Sequence, residues 1–274
     1  MIFSVSAFAV MNAIAKYLTD FNVYQIVFFR ALGTLMITIP LVLKYKIPVL
    51  GSKKKLLMVR AVAGVISLTC FFASLNYLAV GTAVSLRYTS PIFAAILAFF
   101  ILKEKIKPLR WFFFILAFIG VLIIKGFGLA VSSIGLILII ISAFFHGSVF
   151  ILIRKIGDKE HRLVIRNYFM VFAFLFGGIM SINSWRQQSI TEWLLLFSLG
   201  VFGYVGQLYM TKAFQSDETS VVAPLQYLEI IFTILIGASW FGEIYNLYTL
   251  LGILLILTGL IYNIYIKNKR RKTV

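Results

Sequence analysis

Thr82–Lys105 reads TAVSLRYTSPIFAAILAFFILKEK. It is one long apolar run closed by a charged cluster. Roughly twenty apolar residues at about 1.5 Å each span the hydrocarbon core of a bilayer. Arg87 and Pro91 nevertheless lie well inside its limits. Arginine near a helix centre is costly unless it faces a polar interior, and proline leaves a backbone carbonyl without its usual partner. Such a segment makes sense when one face lines a protein interior or a wet cavity.

The pattern returns later in the chain. Shifted by 139 residues and without a gap, the stretch lies over Val221–Ile261: Tyr88 falls on Tyr227, Glu104 on Glu243 and Gly120 on Gly259, with Arg87 over Gln226 and Ser90 over Glu229. Matches between apolar residues carry little weight, but the polar and glycine matches point to a duplicated membrane unit. Earlier segments agree more weakly at a shift of 136, with Ser6-Ala7-Phe8 over Ser142-Ala143-Phe144 and Arg30 over Arg166.

Composition fits this. Of 274 residues, 61% are hydrophobic and 13% charged, and the mean hydropathy is +0.99; a soluble domain is nearer half apolar and a quarter charged. The net charge of +17 would suggest nucleic acid in a soluble protein. Here the basic residues sit in short segments between apolar runs, where they set topology and touch anionic lipid, so nucleic acid is not read as a partner. Cys70 is the only cysteine, which excludes an intrachain disulfide. His146 and His161 lie in different segments without cysteine company, so neither a metal site nor a cofactor is expected. No HExxH, GxSxG or carboxylate-rich loop supports an enzyme. No Lys or Arg precedes the first apolar run, so no cleavable signal peptide is read; either the first helix begins at Met1 or a short piece precedes it.

Ten apolar segments follow from the periodicity: Ile2–Leu18, Val23–Leu43, Leu56–Leu78, Thr82–Leu102, Leu109–Ile124, Ser133–Ile153, Leu163–Ile182, Glu192–Phe214, Ser220–Phe241 and Leu247–Ile266. Lysines and arginines crowd the even-numbered loops and the tail, and the odd loops are nearly bare apart from Lys125 and Arg186. The bias puts the even loops and both termini in the cytoplasm. Five spans per unit means that the second copy enters from the opposite side. The expected fold is therefore an all-α membrane protein of ten transmembrane helices in two inverted five-helix repeats, residues 1–126 and 127–274, as in many alternating-access carriers.

MNAIAKYL (Met11–Leu18) followed by QIVFFRALG (Gln25–Gly33), and RAVAG (Arg60–Gly64) leading into LNYLAVGTAVSLRYTSPIFAAIL (Leu75–Leu97), resemble the EamA-type ten-helix transporters of the drug/metabolite transporter superfamily. The fourth segment ends LKEK, with Lys103 where the family's L-G-E motif has glycine; Phe241-Gly242-Glu243 keeps it. Arg60, Gly64 and Thr89-Ser90-Pro91 are most similar to carriers related to S-adenosylmethionine uptake proteins. The resemblance implies a carrier of the bacterial inner membrane with a central cavity between two five-helix halves, moving amino acids and related metabolites.

Candidate substrate residues are Arg87, Glu229, Tyr88, Tyr227, Gln226, Asn12, Asn76 and His146. Guanidinium binds carboxylates bidentately, and a deep carboxylate could titrate as substrate comes and goes. The repeat places Arg87 and Glu229 one turn apart on equivalent helices, where they could meet across a cavity or form a static ion pair. His146, among aromatic neighbours, could shuttle protons or simply pack. The amides could bind substrate or bond between helices. Arg30, Arg60, Pro91, Glu104, Pro224 and Glu243 read as gating or structural positions, the prolines as bends in the fourth and ninth segments. The expected partners are a small-molecule substrate, read as an amino acid or amino-acid-like zwitterion, and membrane lipids. The sequence leaves proton coupling, exchange and facilitated diffusion open, and monomer and homodimer alike. The rival reading is an exporter of cationic drugs or of a lipid-linked metabolite.

Overall fold

A computed structural model describes residues 1–48, 50–103, 108–127, 132–157, 160–216 and 225–269. Where described, each apolar run has become helix, since a helix satisfies every backbone group within its own segment. The helices are α1 (Ile2–Tyr17), α2 (Val23–Lys44), α3 (Lys54–Ser74), α4 (Val80–Arg87), α5 (Ser90–Leu102), α6 (Pro108–Phe127), α7 (Ser133–Ile156), α8 (Arg162–Ser181), α9 (Ile190–Ser216), α10 (Leu228–Phe241) and α11 (Leu247–Lys269). Among the described residues there is no strand. Among the described residues, six stretches are long and apolar enough to cross a membrane, one of them Val80–Ile101, which joins α4 to α5. Four shorter apolar helices complete a set of ten, one for each segment read from the sequence.

Local chemistry sets the ends. Asn22 caps α2 by accepting from the Tyr24 N–H at 2.9 Å, and Ser132 caps α7, each satisfying a donor the first turn leaves orphaned. Gly242 ends α10 at φ 60°, a left-handed conformation that glycine adopts without strain.

The packing is layered by helix pairs: α6 on α11, α3 on α7 and α8, α2 on α8 and α9, α1 on α9 and α10, α4 on α10, and α5 on α7. At the α2–α9 crossing Gly33 meets Gly200 so closely that a Cβ on Gly200 would sit 2.5 Å from the Gly33 backbone. Small residues at such crossings let two backbones approach. The fully buried centre holds Phe29, Phe71, Phe72, Leu86 and Ile92. Large apolar side chains such as Phe100, Leu122, Leu175, Trp240 and Leu254 point outward instead. Apolar surface this extensive suits a lipid environment rather than water.

Polar contacts tie loops together at both ends of the bundle. At the end where α2 begins, the Asn22 amide donates to the Ser184 hydroxyl at 2.6 Å, and Gln25 exchanges two hydrogen bonds with the Arg186 backbone. At the end where α3 begins, Glu160 Oε1 accepts from the Ser52 hydroxyl at 2.7 Å and the Lys53 N–H at 2.6 Å. Those two donors hold the Glu160 carboxyl below the usual carboxylate range. Lys53 Nζ in turn donates to the Lys155 and Ile156 carbonyls that end α7.

Candidate substrate site

The fourth segment breaks at Tyr88–Thr89, where tight turn bonds from Thr89 N–H to Leu86 and from Ile92 N–H to Thr89 replace the helical ladder. Pro91 falls in the first turn of α5, a position where its missing N–H costs nothing. The ninth segment makes the same turn at Gln226–Tyr227, with bonds from Glu229 N–H to Gln226 and from Ile230 N–H to Tyr227. A shift of 139 residues carries Tyr88–Thr89 to Tyr227–Leu228, one residue past the turn at Gln226–Tyr227, and the prolines do not match. Pro224 and Glu104 lie outside the described residues.

Glu229 stands in the first turn of α10, where the positive end of the helix dipole favours a carboxylate. It is 9% exposed. The Asn12 amide of α1 donates to its Oε1 at 2.9 Å, and the Tyr88 hydroxyl donates to its Oε2 at 2.8 Å. Tyr88 also reaches the Gln226 carbonyl at 3.0 Å, and its ring meets Tyr227 edge-on at 5.2 Å. Three elements from opposite halves of the chain thus converge on one buried carboxylate. Asn12 Oδ1 is buried beside it without a hydrogen-bond partner among the described residues.

Arg87 does not form an ion pair with Glu229. Its guanidinium stacks on the Phe71 ring at 4.2 Å, an attraction to the ring face, while neutral donors occupy the carboxylate oxygens. The two groups still lie within electrostatic reach of each other. Arg30, 5% exposed, points Nε at the Met11 sulfur at 3.5 Å and leaves Nη1 without a partner. Arg60 stacks on Phe169 at 4.7 Å with Nε and Nη1 unpartnered. His146 packs edge-on against Phe150 and lies within electrostatic reach of Arg30, Arg60 and Arg87.

Asn76 is elsewhere. It lies on the exposed loop before α4, in a surface groove of about 570 Å³ shared with Lys16 and Glu243. There Glu243 accepts from the Val80 N–H at 3.0 Å, which caps α4, and from the Tyr245 hydroxyl at 2.5 Å. Lys16 lies 3.8 Å from that carboxylate and donates to the Leu75 and Leu78 carbonyls beyond α3. Sequence reasoning gave Phe71, Met11 and Thr233 no role, because buried apolar or hydroxyl residues look alike in an apolar run; Thr233 bonds the Glu229 carbonyl at 2.9 Å. Arg166 entered only as the match of Arg30, and it lies over the Tyr204 ring at 5.6 Å.

The EamA-like transporter family model matches residues 1–126 and again 133–265. Among curated relatives, the pseudopaline exporter CntI of Pseudomonas aeruginosa is 28% identical over 258 residues, covering 93% of this chain and 90% of that one. An S-adenosylmethionine uptake transporter of Rickettsia prowazekii is 25% identical, covering 95% and 90%. The human solute carrier family 35 member G1 is 24% identical, covering 92% and 74%. A solved crystal structure shares the fold at a TM-score of 0.65 and 13% identity, covering 99% of both chains. The chain therefore belongs to the EamA-like transporter family, and its kin are transporters rather than enzymes.

Proposed function

We propose that this protein is a secondary transporter of an amino acid or amino-acid derivative, working by alternating access of two inverted five-helix halves, residues 1–126 and 127–274. The observation that carries the reading is the Glu229 site: a buried carboxylate held by Asn12 and Tyr88 at the break of one segment and facing the break of its counterpart. Interrupted helices at a repeat interface are where such carriers bind their cargo. A substrate ammonium would compete for Glu229, and its carboxylate would engage Arg30 or Arg87.

The two family matches support the duplication. So do several of the main helix pairings, which have a counterpart when each segment is exchanged for the one five places on: α3–α7 becomes α9–α1, α3–α8 becomes α9–α2, and α5–α7 becomes α10–α1. The loop charges favour cytoplasmic termini in a bacterial inner membrane. Glu229 is the group we assign to proton coupling, since proton and substrate ammonium would compete for one carboxylate. Lys16 and Glu243, where α1, α3 and α4 meet, are assigned a structural or gating role. The relatives' names support the cargo class, because S-adenosylmethionine is an amino-acid derivative.

The test is counterflow into proteoliposomes with labelled alanine, glutamate and S-adenosylmethionine, with and without a pH gradient. Saturable uptake of at least one, changed by the gradient, is expected. Folded protein that moves none of them would favour the cationic-drug or lipid-linked reading.

A further inference from the structure

Among the described residues, Arg30, Arg60, Arg87 and Arg166 place guanidiniums in the interior. Arg30 and Arg87 lie over the adjacent Phe72 and Phe71 rings of α3, and Arg60 lies over Phe169, three residues along α8 from Arg166, so like charges repel at two places. Guanidinium keeps its proton in proteins, so these repulsions cannot be relieved by titration. Among the described residues Glu229 is the carboxylate placed with them, and its two oxygens are taken by Asn12 and Tyr88. Glu160 and Glu243, also largely buried, sit at the rims of the bundle and are taken by Ser52 and Lys53 and by Val80 and Tyr245. Buried charge left uncompensated is strongly unfavourable, and buried polar atoms without partners require an explanation. Among the described residues, Arg30 Nη1 and Arg60 Nε and Nη1 are in that condition. Aromatic faces supply part of the compensation: Phe72 and Phe71 for the first pair, Phe169 and Tyr204 for the second. They leave the guanidinium N–H edges open to an anion.

The pairs lie at different depths. Arg87 stacks at Phe71, eleven residues beyond Arg60 on α3, about 16 Å along the axis. Between the two levels α3 packs on α7, Ser67 and Ser142 each donating to the other's carbonyl. We propose that the substrate is an elongated amino compound with at least two carboxylates, one held at Arg30 and Arg87 and another at Arg60 and Arg166, with its ammonium at Glu229. This deepens the amino-acid reading above and rests on it.

The experiment measures binding to the purified, detergent-solubilised full chain of four probes: alanine, S-adenosylmethionine, glutamate and γ-glutamylglutamate. A second charged anchor is expected to tighten binding by about tenfold or more. γ-Glutamylglutamate should therefore bind most tightly, ahead of both single-carboxylate probes. Arg60→Gln and Arg166→Gln should erase that advantage and leave alanine within about twofold. Arg60→Lys, which keeps the charge, should preserve part of it and guards against a variant that fails to fold. Equal binding of one- and two-carboxylate probes, or Gln variants that weaken all probes alike, would overturn the inference and leave the amino-acid reading standing. Binding of no amino compound at all would overturn both.

Discussion

At Glu229 a charge deep in an apolar bundle is held by two neutral donors rather than by the arginine the sequence offers as its partner. The difference is one of geometry. The Arg87 guanidinium lies flat on Phe71, whereas Asn12 and Tyr88 reach the carboxylate oxygens directly. Removing the Tyr88 hydroxyl takes away one hydrogen bond to a charged acceptor, of the kind that contributes about 1.5 to 3 kcal/mol. Tyr88→Phe should raise the substrate Km about tenfold or more in uptake assays while leaving expression and melting temperature close to wild type. An unchanged Km would remove Tyr88 from the site. Tyr88, Tyr227, Asn12 and Glu229 were legible as candidates because polar groups are rare and expensive in lipid. Their mutual contacts were not, because Asn12 and Glu229 are separated by 217 residues and no spacing rule spans that distance. Asn76 was a candidate on the same grounds and lies instead on an exposed loop, since polarity in a sequence does not reveal whether a segment has already ended.

Among the elements, helix ends carry the testable energetics. Glu243 caps α4 across the bundle, so Glu243→Ala should cost about 0.5–2 kcal/mol of stability, as losing a cap does, read as a lower thermal midpoint. Glu160 does the same for α3 through the Lys53 N–H. Its carboxyl is held below its unfolded value, so the native state binds fewer protons than the unfolded chain there. That contribution is complete above the ordinary carboxylate range and is lost as the pH falls through the lowered value. Melting followed from about pH 7 to about pH 3 should show wild type losing more stability than Glu160→Gln. Parallel curves would remove Glu160 from the account. The ten apolar segments were readable because length and hydropathy set them. The breaks at Tyr88 and Tyr227 were harder: Pro91 signals the first, but nothing comparable stands at the equivalent place in the second, where Ile230 matches Pro91.

The whole molecule joins residues from opposite halves of the chain around one carboxylate. The repeated sequence pattern was readable in Tyr88, Tyr227, Glu104 and Glu243, whereas the helix partners, such as α3 on α7 and α2 on α9, depend on small-residue crossings like Gly33 on Gly200 that many other glycines could have made. The central claim is that Glu229 anchors the cargo between the halves. It is tested most directly by counterflow in proteoliposomes, wild type beside Glu229→Gln, using whichever amino compound wild type exchanges. The account predicts that the variant folds, inserts and loses at least about tenfold in exchange, together with its response to a pH gradient. Equal exchange and an equal gradient response in both proteins would contradict it.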